Sequence, residues 1–435
     1  MAKSSRRHTW ILIVLLLVFG AVFVMRGPVR ALAKSSDLAH LYSAGVLWVE
    51  GGSPYDGKQC AEVMRRAGYA EPEAVDFGSF YPPSTIALLS PLGLLSWATA
   101  KLVWMLLNLV AGAAVVWALV NWMRFGLIQT RWLVALLLVV GFGATGTTFS
   151  LGQLSLVCAG CAFAGLALLD RGKPLLAGVL IGLACLVKPQ LGLGFLLLAG
   201  LRREWLVVAI GVGVIAVVSG IGIGRLMHTV PDWASQLSGN IAFEQEHGIM
   251  LDSSPDGELR YQMIDLRPLV HLVLPTPMVN LGALLLVTLF AGIALIKLVR
   301  LGLDRHTLLS VSGVGLLLLM PIYHRYYDAM FLLPLFVLLM NQWLRSRTDP
   351  WLLTTGVAML PLTIPLQSVI YLLHLRGVVP DALHFSWFWQ NLVLQVQSWC
   401  LLIAAVALII WTWKLPINDE NRAVSHSMTI PNNQP

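Results

Sequence analysis

Five short polar stretches interrupt an otherwise apolar chain, and each carries side chains able to move a proton or hold an anion. They are Ser36-Asp37-Leu38-Ala39-His40-Leu41-Tyr42, Tyr55-Asp56, Gly152-Gln153, Lys188-Pro189-Gln190 and Tyr323-His324-Arg325-Tyr326-Tyr327-Asp328. Ionisable groups inside or at the edge of an apolar bundle are costly and commonly mark a site. Asp37 is a candidate base, and equally a cap for the helical run that begins at Leu38. Lys188 ends the apolar run Leu180–Val187, where a cation can meet a bound phosphate unless it snorkels to the surface. His324 and Arg325 follow Pro321 at the start of a helix, where backbone amides and a guanidinium suit a phosphate. The same residues also fit an interfacial belt of Tyr, His and Arg. Gln153 can serve a ligand or bond a neighbouring helix, and Asp328 can pair with and orient Arg325 or Lys188.

The elements that must position these groups are transmembrane helices. The chain is 57% hydrophobic and 12% charged, against about 25% charged in a soluble domain. Apolar runs long enough to cross a hydrocarbon core of roughly 30 Å recur along its length. The fold class is therefore an all-α polytopic membrane protein. The net charge of +7 reflects topology: 16 of the 29 Lys+Arg, among them Arg124, Arg131, Arg171, Arg202, Lys297 and Lys414, fall in stretches on one side. By the positive-inside tendency that side is the cytoplasm. The other side holds 16 of the 22 acids, mostly in two long loops. Nucleic acid is not an expected partner.

A basic start and the run Thr9–Met25 read as an uncleaved first helix, with Ala31-Leu32-Ala33 as a weak cleavage-like signal. Residues 26–83 form a first outer loop, with Leu38–Val49 lying along the interface, a turn at Gly51-Gly52-Ser53-Pro54-Tyr55 and a short helix over Ala61–Gly68. Ser84–Leu95 is too short to cross, so residues 84–122 are expected to hold a re-entrant or kinked half-helix and one full span. Further spans are expected at 132–149, 151–169, 174–187, 189–200, 205–224, 278–298, 306–320, 328–344, 351–372 and 388–413, about 12 in all. A second outer loop covers 225–276. The reading is one transmembrane domain over 1–413 and a disordered cytoplasmic tail over 414–435, with both termini cytoplasmic. The short helices around Lys188-Pro189-Gln190 suggest a cavity open to the outer side, because broken helices are tolerated where they line one.

Other chemistry finds no support. There is no Walker loop, HExxH, paired CxxC or Gly-x-Ser-x-Gly motif. Cys158 and Cys161 sit in an apolar helix among glycines, which reads as helix packing, and Cys60 is alone in its loop. Asp252, Asp256 and Glu258 are too scattered for a metal centre, leaving at most weak divalent-cation binding. Neither metal nor cofactor is expected. Trp233, Phe243, Trp387 and Trp389 could stack on a sugar, though interfacial anchoring is the simpler reading.

Taken together, Asp37-Leu38-Ala39-His40-Leu41-Tyr42, Gly52-Ser53-Pro54-Tyr55-Asp56, Phe80-Tyr81-Pro82-Pro83 with Pro91-Leu92, Gly152-Gln153-Leu154-Ser155-Leu156 and Ala177-Gly178…Gly182…Lys188-Pro189-Gln190 resemble glycosyltransferase family 87. The similarity covers roughly 36–200 and 321–340. The family's best-known members are polyprenyl-phosphate-mannose-dependent α-mannosyltransferases. Where that branch carries a His-rich motif in the later outer loop, this chain has one His followed by Arg, at His324-Arg325. The resemblance implies a GT-C fold, an extracytoplasmic active site and inversion at the anomeric carbon. It implies transfer of a hexose, mannose by that branch, from a polyprenyl-phosphate sugar to a lipid-linked or cell-envelope glycan acceptor at the plasma (inner) membrane. Asp37 then matches the first-loop catalytic Asp. Lys188, His324 and Arg325 are the expected donor-phosphate ligands, and His40, Tyr42, Tyr55, Asp56, Tyr81, Gln153, Gln190, Tyr327 and Asp328 the expected substrate-binding set. From another class, a transporter or flippase of lipid-linked saccharides would also have polar groups at membrane depth, but no internal repeat is found. An O-antigen ligase- or polymerase-like enzyme is a further alternative.

Overall fold

The structure, a computed structural model, describes residues 2–33, 35–75, 78–247, 252–255, 257, 259–303, 307–344 and 349–416. The tail expected to be disordered lies almost wholly outside the described residues, as do Asp256 and Glu258. Among the described residues there is no β-strand, and one isolated antiparallel bridge joins Met263 to Arg325. The protein is an all-α, multi-pass membrane protein. Among the described residues, five helices are long and apolar enough to cross a bilayer, or seven if each of two bent pairs counts as one span.

In chain order, α1 (Ala2–Arg26) and α2 (Pro28–Ala33) lead into α3 (Ser36–Glu50) and α4 (Gly57–Arg66). A short α5 (Pro83–Leu89) and a 3-10 turn (Ser90–Leu94) precede the long α6 (Trp97–Trp122). This matches the expected half-helix followed by one full span. The region expected to be one span at 132–149 is α7 (Ile128–Gly141) and α8 (Gly143–Leu151), bent by 55°. Next come α9 (Ser155–Leu169), α10 (Pro174–Val187), α11 (Pro189–Leu201) and α12 (Trp205–Thr229). The second loop holds α13 (Trp233–His247) and the single turn α14 (Arg267–Val270). Then follow α15 (Thr276–Leu301), α16 (Thr307–Leu318), a 3-10 segment (Tyr326–Leu332) and α17 (Leu333–Trp343). The region expected as a span at 351–372 is α18 (Pro350–Met359) and α19 (Leu366–Leu375), bent by 49° around Pro365. A short α20 (Asp381–His384) precedes α21 (Val396–Lys414).

The expected twelve crossings included α9, α10, α11, α16 and α17. At 1.5 Å per residue these helices reach only about 17–23 Å, short of a core of roughly 30 Å. α9 is apolar on all faces and almost wholly buried, whereas α10 and α11 bury one face and leave apolar side chains such as Leu175, Leu176, Leu193 and Leu197 on the outside, where lipid meets them. Phe163 of α9, Phe195 of α11 and Phe331 of the 3-10 segment are fully buried and meet with ring centroids 5.7–5.8 Å apart. Each such pair contributes about 0.5–1.5 kcal/mol beyond its area, and the trio ties the helices that carry the polar stretches. Between helices in lipid, this close packing replaces the hydrophobic effect as the source of association.

The two ends of the bundle are chemically distinct. At one end Asp170 accepts from Trp122 Nε1 (3.1 Å), Arg202 Nη2 (3.1 Å) and Thr307 Oγ1 (3.1 Å), and Asn341 Nδ2 donates to the Trp122 carbonyl (2.9 Å). These bonds gather the ends of α6, α9, α11 and α17 with the start of α16, so the basic connections that the sequence assigns to one side do meet. The polar stretches around Asp37, Gln153, Lys188 and Asp328 come together at the opposite ends of the same helices.

Candidate active site

Lys188 is placed by its neighbour. A residue before proline is excluded from the helical region, and Lys188 stands at φ −149°, ψ 84° between α10 and Pro189 of α11. The chain reverses there into a tight helical hairpin. A Cβ on Gly192 would lie 2.4 Å from the Cys185 backbone nitrogen, so this closeness requires glycine. Lys188 is thus a hairpin tip. Its Nζ donates to Asp328 Oδ1 and to Ser155 Oγ (3.0 Å), and it lies 4.8 Å from the centroid of the Tyr327 ring. Ser155 Oγ also donates to Asp328 Oδ1 (2.5 Å), while His324 Nδ1 faces Asp328 Oδ2 (2.9 Å). Of the two partners the sequence allowed for Asp328, the structure selects Lys188. Both are buried, and a buried ion pair is tolerable only when further hydrogen bonds satisfy it. Ser155 and His324 supply them.

Asp37 is not a cap. The α3 helix begins at Ser36, Ser35 precedes it in a left-handed conformation, and Asp37 occupies the first turn. There the helix dipole favours a negative charge. Its carboxylate accepts from Gln153 Nε2 and from Ser36 Oγ (3.2 Å). The Gly152-Gln153 pair explains how this arises. Gly152 ends α8 with φ +75°, its N–H donating to the Thr148 and Phe149 carbonyls, and a Cβ there would stand 2.6 Å from Leu38 Cβ. Only glycine lets α3 lie this close, and that approach puts Gln153 against Asp37.

Arg325 comes from a third direction. Ile264 N–H donates to the His324 carbonyl (3.0 Å) and Leu266 N–H to the Met320 carbonyl (3.0 Å), pairing the second loop with segment 320–325. The fully buried Asp265 accepts from the His324 N–H (3.1 Å) and takes a two-point grip from Arg267 (2.9 and 3.1 Å). Two-point arginine–carboxylate pairing adds geometric specificity, so this clip fixes the backbone that presents Arg325. The Arg325 guanidinium lies 5.5 Å from the Tyr323 ring centroid, and its Nε and Nη2 have no hydrogen-bond partner among the described residues.

These groups enclose a cavity of about 260 Å³. It lies near the lower end of ordinary ligand sites, a size that suits one sugar and its phosphate. Its lining includes Asp37, His40, Tyr81, Gln153, Lys188, Gln190, Arg325, Tyr327 and Asp328. Nine of the thirteen residues singled out from the sequence therefore share one wall. The other four do not reach it. His324 is fully buried behind Asp328, Tyr42 donates to the Leu95 carbonyl (2.9 Å), and Tyr55 donates to the Tyr81 carbonyl (3.1 Å). Asp56 caps α4 by accepting from the Gln59 N–H (3.1 Å). The lining also holds Phe80, Ile241, Glu244 and Tyr323.

Sequence reasoning missed Glu244, Asp265 and Arg267. Glu244 gave no signal beyond that of a charged residue on a loop helix, and the Asp265-Leu266-Arg267 spacing suggested no long-range role. A larger cavity of about 660 Å³, lined by residues such as Phe23, Trp132, Phe149 and Leu156, has no ionisable group in its wall. It can hold hydrocarbon, and it offers nothing to transfer a proton or bind a phosphate.

A cavity with a hydrogen-bonded carboxylate, an unsatisfied guanidinium and a ring of tyrosines suits sugar transfer from a phosphate leaving group. The sequence profile of glycosyltransferase family 87 matches residues 80–321, more than half of the chain. The chain belongs to glycosyltransferase family 87. It is therefore a membrane glycosyltransferase. The matched region contains Tyr81, Gln153, Lys188 and Gln190, while Asp37 and Arg325 reach the same cavity from outside it. A comparison with curated proteins found no match.

Proposed function

We propose that the protein transfers a hexose, mannose by family resemblance, from a polyprenyl-phosphate sugar to a lipid-linked or cell-envelope acceptor. The reaction takes place at the extracytoplasmic face of the plasma membrane, inverts the anomeric carbon, and is carried out on a GT-C architecture. Asp37 takes the proton from the acceptor hydroxyl. That oxygen bonds to the anomeric carbon as the bond from that carbon to the phosphate oxygen breaks. The leaving polyprenyl phosphate carries away the electron pair, and its charge is met by Arg325. No metal is invoked at any step.

The observation that carries this reading is that Asp37 and the unsatisfied Arg325 guanidinium line one sugar-sized cavity. A base must come within hydrogen-bond reach of the attacking hydroxyl, and a fixed cation aimed at developing charge lowers the barrier without reorganising. Lys188 is already committed to Asp328, so its part is to shape the wall and add positive potential. His324 acts through Asp328. Gln153 holds the Asp37 carboxylate in place, and the prenyl chain lies between helices in apolar surroundings.

The test is transfer from radiolabelled polyprenyl-phosphate hexoses to a total membrane lipid extract by the purified protein. Labelled product from one hexose is the expected result and names the sugar. Wild type that turns over none of these donors would remove the donor class.

A further inference from the structure

The reaction sets Arg325 against the leaving phosphate, yet no hydrogen bond within the described residues holds its Nε or Nη2. A long side chain kept in one place loses rotamer freedom, so something must hold it there. The backbone supplies part of that hold. Arg325 is extended (φ −103°, ψ 168°) and forms an antiparallel bridge with Met263 of the second loop. In extended chain the side chains alternate, so residues two apart share a face. Tyr323 and Arg325 accordingly both line the cavity, while His324 between them turns back onto Asp328. The Tyr323 ring supplies the remainder. Its centroid lies 5.5 Å from the Arg325 guanidinium and 5.7 Å from that of Arg267. Arg267 is gripped at two points by the buried Asp265, so the ring rests against a part of the structure that is already fixed.

We propose that Tyr323 is a positioning residue for the transfer, its ring holding the Arg325 guanidinium where the leaving phosphate's charge develops. The proposal rests on the reading of Arg325 as the phosphate's partner. The type of contact matters as much as its place. A carboxylate beside Arg325 would also fix it, but would occupy a pair of its N–H donors and cancel its charge. An aromatic ring attracts the cation through its quadrupole and leaves the charge in place. The planar fork of five N–H donors therefore stays open to phosphate oxygens. Asp265 shows the other arrangement two residues before Arg267: there the carboxylate takes the guanidinium for itself, and the pair serves structure alone. Lys188 is likewise tied to Asp328. Of the cations in the cavity wall, Arg325 is the one held by a ring with Nε and Nη2 unpaired among the described residues.

The experiment uses detergent-solubilised full-length wild type, Tyr323→Phe, Tyr323→Leu, Arg325→Met, the Leu/Met double variant and a protein with trifluorophenylalanine at position 323. Tyr323→Phe keeps the ring and loses the hydroxyl. The fluorinated ring keeps the packing but drains the negative face, so it carries the test should the Leu variant not fold. Binding of farnesyl phosphate is measured by thermophoresis, with farnesol as the uncharged control, beside kcat/KM for the donor in the transfer assay. The expected result is a loss of about 10–30-fold in farnesyl phosphate affinity for Tyr323→Leu and the fluorinated protein, and a value within about threefold of wild type for Tyr323→Phe. Farnesol binding should not change, and kcat/KM should follow the same order. On the Arg325→Met background Tyr323→Leu should cost nothing further, because both act through one contact. Wild-type phosphate affinity in Tyr323→Leu and in the fluorinated protein, with a loss in Arg325→Met, would overturn the proposal and leave the phosphate reading standing. Equal losses in Tyr323→Phe and Tyr323→Leu would also overturn it, by making the hydroxyl itself the ligand. So would an undiminished loss on the Arg325→Met background. Wild-type phosphate affinity in Arg325→Met would bring down the phosphate reading and the proposal together. Binding in the expected order by a protein that transfers from no prenyl donor would support the proposal and refute the donor class alone.

Discussion

Replacing Lys188 by Met removes the cation from a buried network and leaves Asp328 charged and almost wholly buried. Asp328 is 2% exposed and Lys188 8%. Breaking such a pair from one side costs about 3–5 kcal/mol. Asp328 keeps Ser155 and His324 as partners, so the lower figure of about 3 kcal/mol applies. At about 2.1 cal/mol/K of unfolding entropy per residue over 435 residues, each kcal/mol moves Tm by about 1 °C, giving a drop of about 3 °C. Adding Asp328→Asn removes the stranded charge, keeps an acceptor oxygen for Ser155 and turns an amide donor toward His324 Nδ1, which accepts in its other tautomer, and the double variant should recover most of that loss. Thermal unfolding of wild type, both single variants and the double variant in one detergent forms a double-mutant cycle. Additive effects, with the double variant as unstable as the sum of the singles, would refute the coupling and with it the assignment of Lys188 to the wall.

Arg325→Met should behave in the opposite way. Its Nε and Nη2 have no partner among the described residues, so Tm should change little while transition-state stabilisation falls by about 10²–10³-fold in kcat/KM for the prenyl-phosphate donor. Gly152→Ala forces a Cβ into a backbone at φ +75° and into contact with Leu38. A strain of about 1–2 kcal/mol and a displaced Asp37–Gln153 pair should lower kcat by about 10²-fold, well beyond the accompanying fall in stability. Burial pushes the His40 imidazole below its ordinary value of 6.5, against an opposing pull from Asp37. With the folded value depressed, the unfolded chain binds the proton first. Stability should therefore fall as pH drops below about 6.5, and His40→Gln should flatten this part of a Tm-against-pH curve.

Local signals in the sequence were reliable where a single residue dictates the backbone. Pro174 and Pro189 each start a helix, as a proline at the first helical position does, and the hairpin that presents Lys188 follows from the Lys-Pro step alone. Bends inside continuous apolar runs were not legible. Residues 132–149 carry no charge on either side of the 55° break at Phe142, so both halves suit an apolar surrounding, and the glycines and threonines of 141–148 mark a softer second half without giving its angle. Asp37 stands out in the sequence, yet the Gln153 that bonds it lies 116 residues away, and the Asp328 that pairs with Lys188 lies 140 away. Neither separation can be read from spacing. The Tyr55-Asp56 stretch shows the converse error: residues that look like a substrate motif form a helix seat and a helix cap. Glu244 and Asp265 were missed because a charged residue in an outer loop is indistinguishable, in sequence, from one that faces water.

The measurement that bears most directly on the central claim is kcat for transfer from the prenyl-phosphate hexose by purified wild type and Asp37→Asn at equal donor occupancy. The substitution keeps the size of the side chain and an acceptor for Gln153 Nε2 while removing the base. The account predicts a fall of about 10²–10⁴-fold in kcat with donor binding unchanged. An Asn variant that turns over at the wild-type rate would show that Asp37 takes no proton, and the base would have to be another carboxylate of the same cavity.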